Sequence, residues 1–246
     1  MTDHEAIKFD ICCAARLLYR QGLSVANAGH LSVAVGPDEM LVNHYGPSFA
    51  TLRPENVVRV DFAGKVLDSD AYVNDTIRLH GIIHRENPRA VAVAHTHPSA
   101  VVTLSALRVL PEIYDQESCL LADDVGIVEE DYEGLAAEEE RVMPVADALR
   151  ERPVAILPNH GAIATGDNIQ VAFLRMSLLE GMARRTLAVA QAARDFGREP
   201  VPIAPAAARR TKAEIGRIPV LPLLWRDFLT QLRKTDPDLF EAGERG

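Results

Sequence analysis

Apolar residues recur at helical spacing near the start of the chain, where Ile7, Ile11, Ala14, Ala15 and Leu18 share one face over residues 5–21 and Gly22 supplies a stop. This predicts a first helix. Short strand-like runs follow at 31–35, 39–43, 56–62 and 65–67, with Gly36-Pro37-Asp38 and Ala63-Gly64 as turn chemistry between them, so antiparallel hairpins are expected. Asp75 or Thr76 can cap a helix that runs to about Asn87, where Pro88 ends it. The small-residue run 90–94 reads as a buried strand, Pro98 can open another helix, and 154–157 reads as a second buried strand. From 168 to 196, Val171, Phe173, Leu174, Leu178, Leu179, Met182, Leu187 and Val189 keep the spacing of a long helix.

Beyond 196 the pattern breaks. Pro200, Pro202, Pro205, Pro219 and Pro222 interrupt regular structure and Arg209-Arg210-Thr211-Lys212 adds a small basic cluster, so residues 197–222 are expected to form an extended arm, with 223–232 as a short terminal helix. Two readings of this arm stand: a mobile tail, or a segment packed on a neighbouring subunit, for which Leu221, Leu223, Leu224, Trp225 and Phe228 supply apolar surface. The expected division is therefore a main domain over 1–196 and a proline-rich arm over 197–246.

Composition narrows the class. A chain of 246 residues with 48% hydrophobic content can bury a sizeable core, and one main domain is expected. No apolar run approaches the roughly 18 residues of a membrane span, and MTDHEAIKFD lacks a signal-peptide pattern, so no membrane association and a cytoplasmic location are expected. A net charge of -9 argues against nucleic acid as a partner, because a polyanion needs a basic stripe. Cys12, Cys13 and Cys119 form no paired framework, and packing is their expected role.

The chemistry lies in the histidines. His95 and His97 stand two apart at the end of the 90–94 run, so they project to one side, and His160 follows the 154–157 run. Three neutral imidazoles with an open coordination position suit a catalytic divalent metal, zinc first, with manganese, cobalt or iron as alternatives. His80 and His84 have an i, i+4 metal spacing of their own, but HGIIH lacks the Glu that zinc proteases need, and hydrogen-bonded support of the site wall is the preferred role.

The order of a capped N-terminal helix, Asn27-Ala28-Gly29-His30-Leu31-Ser32, Leu79-His80-Gly81-Ile82-Ile83-His84, AHTHP at 94–98, and NHGAI at 159–163 before a long helix resembles the class II aldolase/adducin family over roughly residues 5–195. The resemblance implies an α/β fold with a central, mainly antiparallel sheet flanked by helices on both sides. It also implies a metal on three such histidines, and ring-like tetramers with active sites between subunits. Family members include sugar-phosphate aldolases, epimerases, a dehydratase, decarboxylases, and iron-dependent oxygenases; the cytoskeletal adducins have lost the metal ligands.

Two departures from the aldolase pattern select among these. The aldolases carry Ser-Ser-Glu where this chain has Asn74, Asp75 and Thr76, and a threonine cannot shuttle a proton near neutral pH as a carboxylate can. Their phosphate loop Gly-Asn-Val-Ser is here Gly29-His30-Leu31-Ser32, which removes an amide from the phosphate site. The expected substrate is therefore a non-phosphorylated small oxo- or ortho-hydroxy carboxylate, ring-derived or aromatic by family resemblance, and the expected reaction is decarboxylation through a metal-stabilised enolate. Aldol cleavage of a small hydroxy-carbonyl compound and iron-dependent oxygenation are the alternatives.

Tyr132 and Glu130 are candidates for the proton donor, since adducin-like relatives carry a similar stretch there. Asn27, Gly29, His30, Asn74 and Arg78 are candidate substrate contacts. His30 is also a catalytic candidate, able to meet an anionic group when protonated. Arg78 and Arg85 can hold a carboxylate, or pair with Glu86.

Overall fold

A computed structural model describes residues 3–132, 134 and 138–241; Glu133, beside the candidate Tyr132, lies outside them. Seven strands form one sheet: β1 (His30–Ala34), β2 (Glu39–Asn43), β3 (Val57–Asp61), β4 (Ala92–Thr96), β5 (Val125–Ile127), β6 (Val154–Leu157) and β7 (Gly161–Gly166). Their spatial order is β3-β2-β1-β4-β7-β6-β5, antiparallel throughout except for the parallel β5–β6 pair. The mainly antiparallel sheet is as expected.

Helices cover both faces, and the alternation of side chains along the strands shows how. Ala92 and Ala94 of β4, Val154 and Ile156 of β6, and Ala162 and Ala164 of β7 pack in one core with α1 (Asp3–Arg20), α3 (Ser99–Ser105), α5 (Ile169–Phe196) and α7 (Val220–Thr235). The intervening Val93, Ala155 and Ile163 face α2 (Arg78–Glu86) and α4 (Glu139–Glu151). Both faces being covered, β4, β6 and β7 are buried at every position, which is why they read as continuous apolar runs rather than as alternating ones.

Most predicted elements stand within a residue or two of their expected limits, and the differences have physical causes. The cap of the 75–87 segment is Asn74, whose Oδ1 accepts from Thr76 N at 3.1 Å, so a turn of 3-10 helix over Asp75–Ile77 precedes α2. The 65–67 run makes a single bridge, Val60 to Val66, rather than a strand. α4 was hidden by its charged first turn and by Pro144 within it.

The expected extended arm is corrected. Residues 205–215 form α6 (Pro205–Ile215), followed by α7 and by α8 (Asp238–Glu241), because the prolines fall where a helix tolerates them: Pro205 at the start of α6, Pro219 before α7 and Pro222 in its first turn. The segment packs on its own chain. Trp225, Leu232 and Leu239 join the core around α1 and α5, with Phe173 and Trp225 rings 5.9 Å apart. Arg16 of α1, only 4% exposed, is paired with Asp236 at 3.0 Å and Asp238 at 2.9 Å. No helix among the described residues is long and apolar enough to cross a membrane. The three cysteines are buried and free.

Candidate active site

Strand register assembles the site. His30 pairs with His95 across β1 and β4, and Ser32 pairs with Val93, so His30, Ser32 and His95 share the sheet face that α2 covers. The His30 and His95 rings stack at 6.2 Å. His97 lies just past β4, where Pro98 turns the chain into α3. His160 comes from the tight β6–β7 turn, in which Asn159 takes a left-handed conformation (φ 55°) and donates its N–H to Ser105 Oγ at 3.0 Å.

Two glycines permit this closeness. A Cβ on Gly161 would lie 2.4 Å from the Thr96 carbonyl oxygen and 2.6 Å from the His97 ring, so a side chain there would drive β7 and the ligand turn away from β4. Gly29, at φ +119°, would place a Cβ 3.0 Å from the His95 carbonyl oxygen.

The ligand-capable nitrogens of His95, His97 and His160 all lie within 4.8 Å of one another. His95 Nδ1 donates to the Ala162 carbonyl at 3.0 Å, which fixes the proton on that nitrogen and leaves Nε2 bare, 3.3 Å from His97 Nε2. Two imidazole nitrogens bound tetrahedrally at about 2.0–2.1 Å stand about 3.3 Å apart, so the donor set fits a single cation of zinc size. Burial, reinforced by the neighbouring imidazoles, drives His95 well below the ordinary histidine range and His160 down to about 4, and burial alone lowers His97. The three rings are thus neutral and have lone pairs to give.

A cavity of about 430 Å³ opens onto the cluster and is lined by Asn27, Gly29, His30, Asn74 and Thr76 as well as the three histidines. Tyr45, which the sequence reading did not select, also lines it. No Asp, Glu, Lys or Arg is among its described lining residues. A second cavity meets the first at His160 and is lined by Glu130 and Tyr132; the Tyr132 ring, half exposed, stands 5.7 Å from that of His160. Arg78 is not brought to either cavity: its Nε donates to the Ala63 carbonyl at 3.2 Å. Arg85 is spent on Glu86 and Glu139.

Burial drives His30 to about 4, so the ring that lines the cavity is neutral rather than the cation the sequence suggested. His80 and His84 are fully enclosed and hydrogen-bonded to Ser32 Oγ at 2.7 and 2.8 Å, so they support the wall as expected. Glu180 of α5 was missed. Its buried carboxylate accepts from Ala100 N and Val101 N at the start of α3, contacts between residues some 80 apart that leave no local signal.

A three-layer fold with a three-histidine centre at a strand end is that of the class II aldolases. Residues 9–187 match the model of the Class II Aldolase and Adducin N-terminal domain, and the chain belongs to that family; it is an enzyme of the metal-dependent lyase type. A Caulobacter vibrioides protein of the aldolase class 2 group is 30% identical over 94% of this chain and 90% of its own. A 3,4-dihydroxyphthalate decarboxylase of Rhodococcus jostii is 29% identical over 78% of this chain and 83% of its own. The fold is similar to that of an aldolase II superfamily protein from Pseudomonas syringae, with a TM-score of 0.85 at 23% identity over 97% of this chain and 96% of that one.

Proposed function

We propose that this enzyme decarboxylates a small, non-phosphorylated oxo- or ortho-hydroxy carboxylic acid, ring-derived or aromatic. One observation carries the reading: Thr76, the residue that the family resemblance aligns with the aldolase Glu, lines the cavity, and the described lining of that cavity holds neither a carboxylate to take a hydroxyl proton nor a cation to hold a phosphate. Loss of carbon dioxide needs no such base. Zinc, or a related divalent ion, on His95, His97 and His160 supplies Lewis acidity that stabilises the negative charge left on the substrate. Asn27 and Asn74 offer amides to the substrate's oxygens, and the neutral His30 ring bounds the cavity without adding charge. Tyr132, with Glu130 beside it, sits on the open side of His160, where a phenol O–H can return a proton to the carbon. Similarity to a 3,4-dihydroxyphthalate decarboxylase supports the substrate class. We further propose a cytoplasmic homotetramer whose subunit contacts include exposed apolar residues of the C-terminal segment, Ile218 and Leu223 among them.

The test is metal analysis of protein purified without chelator, followed by a carbon dioxide release screen over 2-oxo and ortho-hydroxy carboxylic acids. Release is expected from at least one of these and negligible cleavage from fuculose 1-phosphate, with Tyr132→Phe lowering kcat by about 10²-fold or more while metal content is unchanged. Robust aldol cleavage of the phosphorylated sugar would overturn the reading.

A further inference from the structure

Four groups behind the cavity form a chain whose proton positions follow from one end. The Ala90 carbonyl can only accept, so His84 Nδ1, 2.6 Å away, carries a proton. Burial keeps His84 neutral, which leaves its Nε2 bare; Ser32 Oγ–H donates to it at 2.8 Å. With its one proton used, Ser32 Oγ accepts from His80 Nδ1–H at 2.7 Å. His80 is therefore bare at Nε2, and that nitrogen is buried without a partner.

Two more enclosed polar atoms lack partners at the same place, His30 Nδ1 and Thr76 Oγ1. The His30 ring stands perpendicular to that of His80 at 5.7 Å, and Thr76 precedes His80 by four residues, on the same side of the helical segment. A buried water typically makes about three hydrogen bonds to such groups. One water that accepts from His30 Nδ1–H and donates to His80 Nε2 and Thr76 Oγ1 would satisfy all three; a water that instead accepted the Thr76 hydroxyl proton would leave His30 bare at Nδ1, and the His30 tautomer separates the two.

We propose that the Ala90 carbonyl, acting through His84, Ser32, His80 and this water, holds His30 as its Nδ1–H tautomer, so that His30 presents a bare Nε2 to the cavity and selects a substrate bearing a hydroxyl donor beside its metal-binding oxygens. His30 lines the cavity with Nδ1 enclosed, so Nε2 is the nitrogen that faces it. Ser32, His80 and His84 are positioning residues here, and Thr76 acquires a role other than that of the carboxylate it replaces. The tautomer chain rests on the hydrogen-bond geometry from Ala90 to His80, a neutral buried His84 and the bridging water; the hydroxyl preference rests on the proposed decarboxylation.

Long-range proton–nitrogen NMR of ¹⁵N-histidine-labelled protein, in diamagnetic zinc-loaded form at pH 7, reads the tautomers directly. Nδ1–H is expected at His84, His80 and His30, and Nε2–H at His80 or His30 would overturn the proposal even if no variant folds. Ser32→Ala should shift both His80 and His30 toward Nε2–H without altering zinc stoichiometry; unchanged tautomers in a folded Ser32→Ala protein would break the coupling. For a decarboxylated acid that carries a further hydroxyl next to its chelating carboxylate–hydroxyl pair, the analogue with hydrogen in place of that further hydroxyl keeps the chelate but cannot donate, and should lose at least about 100-fold in kcat/KM. Equal turnover of the two would overturn the hydroxyl preference. Should no acid in the screen release carbon dioxide, the proposed reaction and this preference fall together, while the tautomer result still decides the chain.

Discussion

Glu180 offers the sharpest test of how the ligand set is held. Its side chain comes from α5 and is 2% exposed, with Oε2 accepting from Ala100 N at 3.1 Å and Val101 N at 3.2 Å, and Oε1 accepting from Arg184 Nε at 2.8 Å. Glu180→Gln keeps the shape but sets an NH2 group against a backbone N–H and turns charge-assisted bonds into neutral ones. Charged bonds contribute about 1.5–3 kcal/mol each against about 0.5–1.5 for neutral ones, and a buried donor left unpaired costs about 1–3, so a loss of about 2–4 kcal/mol is expected. Arg184 is mostly exposed, so its ion pair accounts for under about 1 kcal/mol of this. At about 2–4 °C per kcal/mol for a domain of this size, Tm should fall by roughly 5–15 °C. Because α3 starts two residues after His97, the loosened turn should also weaken zinc binding by about 10–100-fold, the usual effect of removing groups that orient ligands. Differential scanning calorimetry and competition with a chelating dye measure the two effects, and Arg184→Ala serves as a control that leaves zinc affinity within error. If Glu180→Gln binds zinc and melts like the wild type, α3 does not depend on this cap and the argument is refuted.

Three further outcomes follow from the same geometry. His97→Ala, which removes one of three ligands from a site supported by a large core, should lose bound metal and turnover but keep its circular dichroism; full occupancy in that variant would sink the ligand assignment. His84 is held at about 4 in the fold against 6.5 ordinarily, so the unfolded chain takes up its proton first: its own contribution to stability is intact above about 6.5 and falls by about 3 kcal/mol as pH drops to about 4, in addition to that of the other buried histidines. Urea unfolding at both ends of that range should show His84→Gln losing less than the wild type, and parallel losses would contradict this. Ile218→Glu with Leu223→Glu should shift the light-scattering mass below that of the native assembly and lower activity with metal content unchanged, whereas a wild-type protein that is a fully active monomer would refute the tetramer.

Local chemistry made much of this molecule legible. The period of Ile7 to Leu18, the turn at Gly36-Pro37-Asp38 and the small-residue run before His95 are statements about neighbours in sequence, and α1, β1, β2 and β4 lie where those signals put them. The i, i+2 histidines followed by a distant His160 likewise carried the three-histidine cluster, because strand geometry fixes which side chains project together. Pro205, Pro219 and Pro222 misled because proline breaks a helix only past its first turn, and the sequence does not show where that turn begins. Glu180, Asp236 and the Ser32 bridge were illegible for a different reason: each acts on a residue 48 to 220 positions away, and only packing brings the partners together. Arg78 shows the converse, a charged residue near the site in sequence that the fold aims at the Ala63 carbonyl instead.

The three layers explain why a site at a strand end can be rigid. β4 ends at Thr96, and beyond it the chain leaves the sheet, where a loop would ordinarily be mobile. Here both faces reach around that end. From the α2 side, His80, Ser32 and His84 form a bonded wall behind His30, which stacks on His95. From the α5 side, Glu180 holds the first turn of α3 and so the backbone leaving His97. Across the sheet, the Ala162 carbonyl orients His95 from β7, the strand whose turn carries His160. A ligand displaced by 1 Å would forfeit much of its bond to a small ion, so elements from both layers and the neighbouring strand must act on the same three rings. Substitutions at Glu180, far from the cavity lining, should therefore affect metal affinity more than those at the lining residues Asn27 or Tyr45.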